Sequence, residues 1–258
     1  MSKFFGGSMF VILFTAMVSF AGDMTCDTSK CLMSECLRYA YIGGGIAYVN
    51  PGKLNDGLNA NGISSFNNHD GTITLGGHRA MRRTIWESEL SLSGGNRNFD
   101  GNLQTDLMTA GLIWNSGFNV IPAALPIDAF PYVGIGIGAN ALHFHSQSQT
   151  LANALTADEP DAWLWQAKFL LNLGLGADYI FKAPDGKKGL VGGIRVGYLI
   201  DPYNKMKWRN NGYPISDLSA LSRSGFFARI VIGGWKAHEG WKKDGQCRMN
   251  KEKTPAQP

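Results

Sequence analysis

The chain has 258 residues, 24 Lys and Arg against 20 Asp and Glu, a formal net charge of +4, 44% hydrophobic residues and 33 glycines. A mean hydropathy of −0.11 is too polar for a bundle of membrane helices. The mild positive balance comes without a Lys/Arg stripe, which argues against a nucleic-acid partner, and the length suits one barrel domain or two small domains.

The N-terminus predicts export. Lys3 supplies a positive start, residues 9–18 form a compact apolar core, and Ser19-Phe20-Ala21 place small residues where a signal peptidase reads. Residues 1–21 are therefore expected to be a signal peptide. The apolar run is short for a spanning helix of about 20 residues, and Asp23-Met24-Thr25 before Cys26 does not resemble a lipobox. A Cys-rich segment over 22–36 holds Cys26, Cys31 and Cys36, and a polar tail over 236–258 holds Cys247. An even cysteine count in an exported chain favours disulfides, and four cysteines allow three pairings. In a barrel of even strand number both termini share one side, so a bridge to Cys247 is geometrically allowed. No Cys-x-x-Cys occurs, so these thiols are assigned no metal or haem.

Eight strand-like segments follow. The first, 37–49, carries Tyr39, Tyr41, Ile42, Ile46 and Tyr48 around Gly43 to Gly45. A polar stretch rich in Asn and Gly covers 50–70, the second strand is 71–79, and 80–83 is a short turn. The third, 84–93, places Trp86, Leu90 and Leu92 on one face and Glu87, Glu89 and Ser91 on the other. After a polar loop over 94–103, the fourth covers 106–120. Pro122 and Pro126 break the pattern, since proline cannot donate to a ladder. The fifth, 130–145, alternates Val133, Ile135, Ile137 and Ala139 with Gly134, Gly136, Gly138 and Asn140.

The sixth strand, 163–181, is the most informative. Trp163, Trp165, Ala167, Phe169, Leu171, Leu173, Leu175, Ala177, Tyr179 and Phe181 form one unbroken apolar face, while Gln166, Lys168, Asn172 and Asp178 occupy the other. From Trp165 to Tyr179 the rise is about 46 Å, or about 35 Å at a tilt near 40°, enough for aromatic belts flanking a lipid-facing band. Ala183-Pro184-Asp185-Gly186 is a tight-turn sequence. The seventh strand, 189–200, carries a lone Arg195 opposite Leu190, Ile194, Val196 and Tyr198. The eighth, 225–235, sets Arg229 opposite Phe226, Ala228, Ile230 and Ile232. Connections 50–70, 94–103, 146–162 and 201–223 are long, whereas 80–83 and 182–188 are short. Residues 121–129 are a longer apolar turn on the short-turn side.

This pattern resembles the small eight-stranded outer-membrane barrels of Gram-negative bacteria, the OmpA-like and OmpW-like class, over residues 37–235. The resemblance implies an all-β fold, an eight-stranded antiparallel up-and-down transmembrane β-barrel. It also implies an aromatic girdle of Trp86, Trp163, Trp165, Tyr179, Phe181 and Trp235. One departure is that the chain continues past Trp235 to Pro258.

Inward-facing charges are expected at Glu87, Glu89, Lys168, Asp178, Arg195 and Arg229. They fit a salt-bridged plug with a structural role or a narrow pore passing a small solute. The expected partner is outer-membrane lipid, including lipopolysaccharide; the oligomeric state is left open. A lipid A-modifying enzyme is the alternative, but its deacylase family uses His-x-Ser, which this chain lacks. His143 and His145 share a strand face, an arrangement more common as interface polar groups than as ligands. No catalytic residue, cofactor or metal is assigned. A surface adhesion or recognition barrel would use the basic-aromatic loop containing Lys205, Lys207, Trp208 and Arg209. A soluble periplasmic ligand-binding barrel, lipocalin-like in architecture, would extract without detergent.

Overall fold

The computed structural model describes residues 37–81, 83–121, 125–146, 161–183, 188–203, 206–216 and 218–236. The expected signal peptide, all four cysteines, Lys205 and the Pro184-Asp185-Gly186 turn lie outside them.

The elements in chain order are β1 (Arg38–Tyr48), α1 (Gly52–Ala60), β2 (His69–Met81), β3 (Thr84–Asp100), β4 (Leu103–Phe118), β5 (Ile127–Ser146), β6 (Asp161–Lys182), β7 (Lys188–Ile200), β8 (Arg209–Asn210), β9 (Tyr213–Pro214) and β10 (Gly225–Lys236). β1 to β7 and β10 each pair antiparallel with their chain neighbours, β5 joins β6, and β1 joins β10, so eight strands close into a ring. Closure leaves no open seam around the ring, although the upper parts of β3 and β6 rise past the ends of β2 and β7. The wall is uneven: β5 has 20 residues and β6 has 22, whereas β1 has 11 and β10 has 12.

Burial is inverted relative to a soluble barrel. On β6, Trp165, Leu173, Leu175, Tyr179 and Phe181 are exposed, while Gln166, Lys168, Asn172 and Asp178 are buried. Ile42, Ile73, Trp114, Ile135, Ile194 and Ile230 repeat the apolar exterior around the ring. Strands alternate faces with period two, so the same backbone that shows these side chains outward must enclose the charges.

Three expectations change. Residues 94–103 are not a loop. β3 and β4 run on to meet at the Gly101 turn, with a bulge between Ser93 and Asn96 where Gly95 takes φ 115°. The polar stretch 50–70 contains α1, whose Leu54 and Leu58 are buried. The long loop 201–223 contains a small hairpin, β8 with β9, closed by Asn211 (φ 48°) and Gly212 (φ 87°), an Asn-Gly pair suited to a two-residue turn.

The apolar turn near 121–129 also gains a physical account. Asn119 Oδ1 accepts from the amides of Ile121 (3.0 Å) and Ala129 (3.2 Å), and its amide donates to Asp128. The Asn119 side chain thus ties the end of β4 to the start of β5.

Inside, rings lie on glycines. Tyr132 faces Gly174 and Phe130 faces Gly176 across the β5–β6 ladder. A Cβ at either glycine would run into the opposing ring. The narrow interior therefore needs glycine where an aromatic crosses it.

Candidate functional site

The lumen has two polar layers. In the half toward the chain termini, Arg195 stands at the centre. β7 and β3 lie on opposite sides of the ring, so an inward Arg195 can span the lumen to Glu87. Its Nη1 donates to Asp178 Oδ1 at 2.6 Å, and its Nη2 donates to Asp178 Oδ2 at 3.0 Å and to Glu87 Oε2 at 2.9 Å. His78 Nδ1 lies 3.2 Å from the same Glu87 oxygen, and the Tyr39 hydroxyl donates to Asp178. The guanidinium sits 4.9 Å above the Phe130 ring, and Tyr39 stacks on His78 at 4.4 Å. Beside this cluster, Arg229 pairs with Glu89.

Moving such ions out of water costs several kcal/mol each, which close pairing must offset. Glu87, Glu89, Asp178, Arg195 and Arg229 are all buried. An aromatic and aliphatic cluster including Tyr39, Tyr41, Phe130, Tyr132 and Val231 packs around them.

In the loop half, Lys168 Nζ lies 2.7 Å from Asp201 Oδ2. Asp201 is the first residue past β7. Its carboxylate also accepts from the Arg223 amide at 3.4 Å, and Arg223 Nη1 donates to the Ala110 carbonyl at 2.8 Å. Gln166 Oε1 accepts from Asn140 at 3.0 Å and from the Leu221 amide at 3.3 Å.

Above this layer sits an apolar cap. Leu54 and Leu58 from α1 pack with Phe66, Leu142, Leu164 and Trp208. Two clasps hold it: the Ser64 amide donates to Asp100 at 2.8 Å, and the Asn67 amide donates to Asn96 at 2.9 Å.

All six charges expected inside, Glu87, Glu89, Lys168, Asp178, Arg195 and Arg229, are brought to the lumen. Asp201 and Arg223 were missed because they lie just outside the strand limits. His78, Tyr39 and Tyr41 were missed although their inward parity is readable in the sequence.

Two expected positions are corrected. Trp208 is fully buried, with Nε1 donating to the Ser219 carbonyl at 2.9 Å, so it anchors the loop from beneath and offers no surface. Trp235 shares the face of Arg229 and packs against the inward cluster, so it does not join the girdle. Trp86, Trp163, Trp165, Tyr179 and Phe181 do point outward. Lys207 and Arg209 are exposed, and Arg209 Nη1 donates to the Gly212 carbonyl at 3.1 Å.

No protein-family model matches the chain, and no curated protein does. Among solved structures, the chain is similar to Neisserial surface protein A at 12% identity, covering 77% of this chain and 96% of that one, with a TM-score of 0.43. It is also similar to Ail, the attachment invasion locus protein of Yersinia pestis, in complex with the heparin analogue sucrose octasulfate, at 10% identity, 78% and 98% coverage, and a TM-score of 0.45. A major outer membrane protein from Thermus thermophilus matches at 10% identity, 76% and 99% coverage, and a TM-score of 0.38. At such identities and scores, the barrel described above rests on its own register and burial.

Proposed function

We propose that the chain is an outer-membrane barrel with a closed lumen, serving a structural role and displaying its long loops at the cell surface. The observation that carries this reading is the pairing of apolar exterior with charged interior. A wall exposing Ile42, Ile135, Leu175, Ile194 and Ile230 would be a severe liability in water. In a bilayer that same wall is the favourable solution, because a closed ladder satisfies every backbone group.

Closure of the lumen is supported at three heights: the Arg195 cluster, the Lys168–Asp201 bridge, and the cap of α1 and Trp208. In planar bilayers the folded protein is expected to give no steady single-channel conductance. The double variant Glu87→Gln, Glu89→Gln is expected to stay silent, because the upper bridge and the cap remain. Discrete, ion-selective openings of the parent protein would establish a pore instead.

A second reading, recognition of anionic lipopolysaccharide or a host polyanion, is favoured by the exposed Lys207 and Arg209 on a loop pinned by buried Trp208. Replacing both cations by Ser is then expected to weaken polysaccharide binding; retained binding would remove this reading.

A further inference from the structure

On the outer wall, away from the lumen, β4 and β5 carry a cluster that the closed barrel does not use. Asp106 is directly opposite His143 in the ladder, and His145 stands two residues along the same face. One ligand atom from each residue lies within 4.8 Å of the other two. The two imidazoles stack at 4.5 Å, and the indole of Trp163 stacks on His143 at 4.0 Å. Nδ1 of His145 is buried, has no hydrogen-bond partner, and faces Asp106 Oδ2 at 3.9 Å.

We propose that Asp106, His143 and His145 form a binding site for a divalent transition-metal ion on the outer wall of the barrel. Two imidazoles and one carboxylate are a donor set suited to Zn²⁺ and its neighbours rather than to Ca²⁺ or Mg²⁺. Three protein ligands leave coordination positions for water or an added oxygen ligand.

The surroundings are arranged as at such sites. Asp161 Oδ1 lies 2.9 Å from His143 Nε2, the carboxylate-on-imidazole contact that fixes a ligand ring. Gln104 Nε2 donates to both oxygens of Asp106, at 3.1 and 3.0 Å, and Arg97 Nε donates to Oδ1 at 2.6 Å. A carboxylate has about four lone-pair sites, so Oδ2 keeps capacity toward His145. Arg97, being a cation beside the site, opposes the metal. This sets a sign: removing the arginine charge strengthens binding, whereas removing a ligand weakens it.

The experiment is calorimetric titration of the full chain in detergent with Zn²⁺. Its cysteine thiols are alkylated first, and Co²⁺ absorption serves as a second readout. One Zn²⁺ per folded chain is expected. His145→Ala and Asp106→Asn should each weaken binding at least about tenfold, and Arg97→Gln should tighten it. Heat-modifiable gel mobility checks that each variant is folded. Where a ligand variant fails that check, the parent stoichiometry and the Arg97→Gln direction decide. Absence of saturable binding to the parent, ligand variants that bind as tightly as the parent, or an Arg97→Gln variant that binds more weakly would overturn the proposal.

Discussion

Arg195 and Arg229 stand directly opposite each other on β7 and β10, where like charges destabilise a sheet. The lumen resolves this by giving each its own carboxylates: Glu87 and Asp178 for the first, Glu89 for the second. Arg195→Ala would strand two buried carboxylates. It is expected to cost about 3–5 kcal/mol in denaturant unfolding from detergent or lipid. Neutralising all three partners together (Arg195→Met, Glu87→Gln, Asp178→Asn) should cost less than the single change, because no ion is left unpaired. At Gly176 the constraint is steric. An added Cβ meets the Phe130 ring, so Gly176→Ala should destabilise by about 1–3 kcal/mol in the same assay, the range for overpacking.

At the scale of elements, α1 and the β3–β4 hairpin act as one lid. Hydrogen bonds from the Ser64 hydroxyl and amide hold the Asp100 carboxyl below its ordinary value. A carboxyl depressed on folding stabilises the clasp at pH above about 4, its ordinary range, and the benefit disappears as pH falls through the lowered value. Protection of the Ser64 amide, taken relative to its intrinsic exchange rate at each pH, should therefore fall on acidification below about pH 4, while the strands hold. Leu58→Ala should likewise loosen the lid locally, with faster exchange across α1 and unchanged barrel mobility on gels.

These elements also mark where sequence reasoning succeeded and where it stopped. Lys168, Arg195 and Arg229 were legible because period-two alternation fixes the side of a strand once one face is unbrokenly apolar. α1 was hidden because Asn and Gly dominate 50–70 and only Leu54 and Leu58 carry its buried face. The upper halves of β3 and β4 were hidden because Gly94, Gly95, Asn96 and Asn98 look like loop residues; the bulge and the lid contacts explain them. Trp235 was readable in parity with Arg229, but its place at the strand end suggested a belt.

For the whole molecule, closure of the ring through β1 and β10 ties the first strand to the last. Unfolding should then be cooperative, and the native chain should withstand detergent until it is boiled. A folded band that runs faster than the heated one, found in the membrane fraction, is the expected result. A chain released by salt alone would contradict the apolar exterior.

The difference in strand length gives the cylinder a high side and a low side. β5 and β6 rise as a parapet while β1 and β10 stop short. Neighbouring molecules in a crowded envelope would therefore meet a lopsided wall, taller on one flank than on the other. Any assembly it joins should show a preferred orientation around the membrane normal.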